Sequence, residues 1–196
     1  MKLLAWFTAA MLATAVQAQE YPTKPIRLII SFPPGGSSDL IARVIAPRMA
    51  ERMGQPVLVE NRPGAGGNIG VDAVAKSAPD GYTIGLAAAG ALSTNINLYP
   101  NMPFHPEKDL APVSMLAMIT FFLVAHPSQP ASLKAVLENA KAKPGAIAYG
   151  YGGNGSTMHM AGELLKMMAA VNLQAVPYKG SGPVSADVLE IGRAHV

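Results

Sequence analysis

The chain has 196 residues, half of them hydrophobic, with 15 Lys and Arg against 12 Asp and Glu and no cysteine. The apolar share is enough for a packed core, and the missing cysteines exclude a disulfide framework, a thiol nucleophile and a cysteine lipid anchor. The charges are scattered and nearly balanced, with no Lys/Arg cluster interleaved with aromatics, which argues against nucleic acid as a partner.

Met1 to Leu12 opens on Lys2 and continues as an apolar run too short to cross a bilayer. Small residues follow at Val16-Gln17-Ala18, so residues 1–18 read as a secretory signal peptide cut after Ala18. The mature protein is expected free in the periplasm. Each later apolar run is broken by Pro, Gly or a charge before it reaches membrane-spanning length.

From Pro25 onward strand and helix signals alternate. Ile26 to Ile30 is an apolar, β-branched run of buried-strand length. Pro33 and Pro34 lack the N–H that a ladder needs, so the strand is expected to end at Phe32. Gly35 and Gly36 let the backbone approach a ligand, and Ser37 or Ser38 can N-cap the helix that follows. Open N–H groups and the positive end of the helix dipole favour a carboxylate or phosphate there.

Leu40, Ile41, Val44 and Ile45 give that helix an apolar stripe, Pro47 is expected to kink it, and Gly54 suits its C-terminal stop. Val57 to Val59 reads as a second strand and Asn61 to Asn68 as a second glycine loop. Ile69, Val71, Val74 and Ala75 mark the next helix, and the turn Pro79-Asp80-Gly81 precedes a strand from Tyr82 to Leu86. This β-loop-α order implies an α/β fold with a mainly parallel sheet and ligand loops at the strands' carboxyl ends.

A polar, proline-rich connection from Tyr99 to Asp109 leads to the apolar stretch Val113 to Ala125, where a domain crossing is expected. Ser132 caps a helix to about Lys141, and Ile147 to Tyr149 is a strand. Gly152-Gly153-Asn154-Gly155-Ser156-Thr157 opens a helix containing Leu164, Leu165 and Met168, and Gln174 to Val176 is a further strand. Both halves therefore repeat one device, a strand feeding a glycine-rich loop at a helix start.

Each motif has an ordinary reading beside the functional one. The Pro33 to Asp39 loop serves equally as a plain βα connection. A dinucleotide site fits poorly, because Ile69 stands where the third glycine of that fingerprint belongs. Asp39 either complements the helix dipole or anchors water and ligand donors at the loop. Ser156 and Thr157 are N-caps, ligand-facing hydroxyls, or both. Met158-His159-Met160 raises copper, yet adjacent helical residues point apart and Met at helical spacing is more often core. His159 fits better as a hydrogen-bonding residue near the loop. There is no Gly-x-Ser-x-Gly elbow and no His-Glu-x-x-His, so enzymatic chemistry has no local signature.

Lys24-Pro25-Ile26-Arg27, the Phe32 to Arg43 segment, Val59-Glu60-Asn61-Arg62-Pro63-Gly64-Ala65-Gly66-Gly67, Pro79-Asp80-Gly81-Tyr82-Thr83, Gly153-Asn154-Gly155-Ser156 and Val176-Pro177-Tyr178-Lys179-Gly180 occur in this order. From about Tyr21 to Leu189 the chain thereby resembles the Bug family, the periplasmic substrate-binding receptors of tripartite tricarboxylate transporters. The resemblance implies an α/β, two-lobed periplasmic-binding-protein fold of the type II-like Venus-flytrap kind, closing on a small organic anion, usually a carboxylate. It implies no cofactor, no metal and no catalysis, with membrane permease subunits as partners of a monomeric receptor. Carried over, the ligand-binding positions are Phe32, Gly35, Gly36, Ser37, Asp39, Asn61, Gly66 and Asn95 on one lobe and Gly155, Ser156, Thr157 and His159 on the other. Ala91-Leu92 and Tyr151-Gly152 depart from the family pattern and are expected to reshape the pocket.

Residues 19–120 are expected to be the N-terminal portion of the first lobe and residues 121–189 part of the second. Ile191 to Val196 is the translation of ATC GGA AGA GCA CAC GTC, the start of a common sequencing-library adapter. Residues 190–196 are therefore expected to be artefactual and the second lobe incomplete. Two other functions stay open from sequence: a ligand sensor for a signalling partner, and a periplasmic hydrolase using a serine and His159.

Overall fold

In the computed structural model, which describes residues 20–191, the Ile-rich run forms a central strand, β1 (Ile26–Ile30). The expected signal peptide, residues 1–18, and residues 192–196 of the adapter-like tail lie outside the described residues. Strand β1 pairs in parallel with β2 (Val57–Asn61) on one side and β3 (Thr83–Leu86) on the other, with Ile30 opposite Asn61 and Leu86. Ile26, Leu28, Ile29 and Ile30 are each at most 2% exposed, the continuous burial expected of a parallel strand covered on both faces.

Helix α1 (Ser37–Met53) covers one face. Its Ala42, Ile45 and Ala46 pack on Leu28, Ile30, Val57, Val59, Ile84 and Leu86. The expected stripe is only partly right, because Leu40 and Val44 are 59% and 65% exposed. Small alanines turned toward the sheet let the helix approach closely, which leaves the bulkier residues outward. The helix runs through Pro47 and stops at Gly54, whose φ of 69° and N–H to the Ala50 carbonyl at 3.0 Å form a left-handed cap.

Helix α2 (Asn68–Ala75) covers the opposite face. A Cβ on Gly85 would lie 2.8 Å from Val74, so glycine sets the helix-to-strand distance. After β3 the chain makes a π-helical turn (Gly90–Thr94) and the short helix α3 (Asn95–Leu98), and Val71, Ala91 and Phe104 form a second cluster.

The second half repeats the plan with a two-stranded parallel sheet, β4 (Ala148–Tyr151) and β5 (Gln174–Pro177). Around it lie α4 (Leu133–Ala142), α5 (Thr157–Ala169) and α6 (Ser181–Ile191). Ala140, Tyr149, Tyr151, Val171 and Leu173 form its core, joined by Leu137, Met158 and Leu165. Gly162 lets the Tyr149 ring lie against α5, and the phenol donates to Glu163 at 2.6 Å. Burial and then that carboxylate raise the phenol above its usual range.

Every strand differs from expectation by one or two residues at an end: β2 extends to Asn61, β3 begins at Thr83, β4 begins at Ala148 and β5 ends at Pro177, and two further boundaries have a visible cause. β1 ends at Ile30 rather than Phe32, because the Asn61 side-chain amide takes the Phe32 carbonyl at 3.0 Å in place of a ladder partner. β4 reaches Tyr151, since its ladder with β5 continues to the Tyr151–Pro177 pair. Between the halves, residues 111–125 carry neither helix nor strand, and Val113 and Met118 are 91% and 84% exposed. Among the described residues no helix is long and apolar enough to cross a membrane.

Candidate functional site

The loop after β1 is held from behind. Asp39 is 3% exposed, and its Oδ2 accepts the Gly35 N–H at 3.0 Å and Arg43 Nε at 3.0 Å. Its Oδ1 accepts Asn61 Nδ2 at 2.9 Å, and Asn61 Oδ1 in turn accepts Arg43 Nη2 at 3.3 Å. The Arg43 hydrogen bond first, then the Gly35 N–H, hold the Asp39 carboxyl down to about 2, with burial opposing. Both residues expected at the ligand thus have their polar atoms engaged in fixing the loop's shape. The expected Ser37 or Ser38 cap is absent: Gly36 is the N-cap, no side chain among the described residues closes the helix start, and Ser38 is buried. Ser37 is the exposed first helical residue, and Phe32 is half-buried beside Gly67.

After β2, Gly64, Ala65, Gly66 and Gly67 all have positive φ, a tight turn that the Gly67 N–H closes on the Gly64 carbonyl at 3.0 Å just before α2. Gly66 is fixed by contact as well as by conformation. A Cβ there would overlap the Asn154 carbonyl oxygen from the second half and lie 3.2 Å from Asn95 Nδ2.

Asn95 is fully buried. Its Nδ2 donates to Asn68 Oδ1 at 2.7 Å and to the Gly66 carbonyl at 3.4 Å. Among the described residues its Oδ1 has no hydrogen-bond partner, and it rests against Gly155, where a Cβ would collide with it. Asn95 is therefore an amide wedge between two left-handed glycines, one from each half.

The loop after β4 is built with equal economy. Ser156 is the N-cap of α5, accepting the His159 N–H at 3.3 Å, which settles its cap role; Thr157 is the first helical residue. His159 Nδ1 accepts the Gly155 N–H at 3.3 Å, so the ring proton belongs on Nε2. The ring stacks on Tyr151 with centroids 4.3 Å apart, and the Tyr151 hydroxyl donates to Asn154 Oδ1 at 2.6 Å. No serine hydroxyl bonds this imidazole among the described residues. Met158 packs in the core, and among the described residues no group of three His, Cys, Asp or Glu is placed to hold a metal ion.

The loops meet across the seam between the sheets. Beyond the Gly66–Asn154 and Asn95–Gly155 contacts, a Cβ on Gly180 would lie 3.1 Å from Pro33, and one on Gly36 3.5 Å from Ser181 Oγ. Tyr99 donates to the Asn154 carbonyl at 2.9 Å. The starts of α1, α2, α5 and α6 thus converge from the two sheets. Their dipole ends and backbone N–H groups make the seam electropositive, an environment for a carboxylate. Of the expected residues, Gly36, Gly66, Asn95 and Gly155 lie at this junction, Ser156 and His159 shape it, and Asp39 and Asn61 stand behind it. Sequence reasoning missed Asn68, Tyr99 and Ser181. Only Ser181, after a Gly at a helix start, carries a local signal.

A family model, that of the tripartite tricarboxylate transporter family receptor, matches residues 41–193. The protein BugT of Bordetella pertussis is 43% identical over 186 residues, which cover 94% of this chain and 57% of that protein. The solved structure of R. palustris Rpa4515 with adipate has a TM-score of 0.79 at 36% identity, covering 89% of this chain and 58% of that one. MatC from Rhodopseudomonas palustris, with bound malate, has a TM-score of 0.82 at 30% identity, covering 89% and 60%. The chain belongs to the tripartite tricarboxylate transporter receptor family, which includes the Bug proteins, and has the α/β architecture of solved periplasmic binding proteins. It spans somewhat over half the length of the relatives it matches.

Proposed function

We propose that the protein is a periplasmic solute receptor that closes two lobes, of which residues 19–120 are the N-terminal portion of the first and residues 121–189 an incomplete second, on a small organic carboxylate and delivers it to the permease subunits of a tripartite transporter. The observation that carries this reading is the convergence of four glycine-loop helix starts, those of α1, α2, α5 and α6, on one seam between two parallel sheets. Helix starts supply N–H donors and partial positive charge without a desolvated basic side chain, which suits a carboxylate that must be released again. Adipate and malate in the two solved relatives support the ligand class. The signal-peptide pattern of residues 1–18 supports export, and in this reading the receptor acts as a monomer without cofactor or catalysis.

Thermal denaturation of the full-length mature protein against a panel of mono-, di- and tricarboxylates, adipate and malate included, tests this. At least one acid raises the midpoint in a concentration-dependent way, by the amount one-site linkage gives. No shift with any acid overturns it.

A further inference from the structure

Helix α3 has only the residues Asn95–Leu98, yet each of its ends touches the Asn154–Gly155 loop of the other half. Asn95 at its start wedges against Gly155, and Tyr99, whose N–H closes the helix on the Asn95 carbonyl at 2.9 Å, donates its hydroxyl to the Asn154 carbonyl at 2.9 Å. Among the described hydrogen bonds, this is a side-chain bond that joins the two sheets' loops directly. Residues 99 and 154 are 55 positions apart, so the bond reports tertiary arrangement and not local folding.

The acceptor is aimed by its own half. Tyr151 holds the Asn154 side chain at 2.6 Å, and the Ser156 N–H donates to the Gly153 carbonyl at 3.0 Å. His159 Nδ1 holds the next amide, Gly155 N–H, at 3.3 Å. These bonds stay within the second half, so the carbonyl keeps its direction if the halves separate. Gly66 lies under the same carbonyl, where any Cβ would prevent the approach.

We propose that Tyr99 and the Asn154 carbonyl form a latch between the lobes that sets the stability of the closed receptor, and through it ligand affinity, without contact with the ligand. This rests on the receptor reading above. The latch bond exists when the loops are docked and is replaced by water when they part, so it contributes to the closed state alone. Tyr99 is a positioning residue: its hydroxyl points at a backbone atom of the opposite half, and the site's electropositive N–H groups belong to other residues.

The test is calorimetric titration of wild type and Tyr99→Phe, each full-length, with adipate, malate and the rest of the carboxylate panel. It is paired with stopped-flow dissociation and with hydrogen exchange of the Asn154–Ser156 amides. Loss of one net hydrogen bond predicts a Kd about two- to tenfold higher, carried by faster dissociation. The ligand-free melting midpoint and ligand-free exchange stay as in wild type, whereas exchange of these amides in the bound protein accelerates. Equal Kd and dissociation rate in the two proteins overturn the latch and leave the receptor reading intact. A lowered ligand-free midpoint with unchanged bound-state exchange overturns it in favour of plain packing. Wild type that binds no acid of the panel overturns the receptor reading, and the latch with it.

Discussion

The Asp39 carboxylate accepts the Gly35 N–H at 3.0 Å, four residues back along the chain, and thereby bends the Pro-Pro-Gly-Gly loop onto the start of its own helix. Gly35 and Ser37 are exposed on either side of the half-buried Gly36. A buried charge in this position acts as a brace for the backbone, so the loop's shape depends on Asp39.

Asp39→Asn tests the brace. The amide can still meet Asn61, but it loses the charge-assisted bonds to Arg43 and Gly35. Urea denaturation at pH 7 is expected to show a loss of about 1–3 kcal/mol. Because the folded carboxyl is lowered to about 2 from 3.8, its contribution is complete above pH 3.8 and is lost as pH falls toward 2. The difference between the two proteins therefore narrows across that window, and a constant difference would remove Asp39 as its source.

Two glycines at the junction respond differently to alanine. Gly36 has ordinary extended backbone, with φ −81° and ψ 168°, and its nearest neighbour to a new Cβ is Ser181 Oγ at 3.5 Å. Gly36→Ala is expected to bind carboxylate within about twofold of wild type, whereas a bulky residue there abolishes binding. Gly66 has φ 64° and lies under the Asn154 carbonyl. Gly66→Ala costs about 1–2 kcal/mol in backbone strain alone and weakens binding more than tenfold, measured by calorimetry.

Ser156→Ala removes the cap of α5 and the acceptor of the His159 N–H. Chemical denaturation is expected to give a loss of about 1 kcal/mol. Ser156→Thr or Ser156→Asp should restore most of it, since either side chain can accept the same N–H.

Asn95→Asp puts a charge at a site with no exposure, facing Asn68 Oδ1 where the amide donated. Burying an unpaired carboxylate beside another oxygen is expected to cost more than about 3 kcal/mol at neutral pH, and less in acid, where the added carboxyl is protonated. Thermal melts at pH 4.5 and pH 7.5 read the difference.

Much of this arrangement is written locally. The β-branched run of β1, the left-handed stop at Gly54, the Ser156 cap and the glycine loops each depend on neighbours within a few residues, and the structure has them where the residues imply. The α1 stripe was misleading because hydrophobicity marks Leu40 and Val44, while the sheet selects the small Ala42 and Ala46 for close approach. The roles of Asp39 and Asn61 could not be separated in sequence, since their bond spans 22 positions and both types also suit a ligand contact. Tyr99 carries no local mark: it stands in a proline-rich connection, and only the meeting of the halves gives its hydroxyl a partner.

In the proposed receptor, backbone N–H groups from both halves hold one carboxylate between them. Amide shift perturbation in the full-length, nitrogen-labelled protein, titrated with adipate and with malate, tests this most directly. Saturable, one-to-one shifts at Gly35–Ser38, Gly66–Asn68, Gly155–Thr157 and Gly180–Gly182 together, with a single Kd, are expected. Shifts confined to one half, or centred away from these loops, would contradict it.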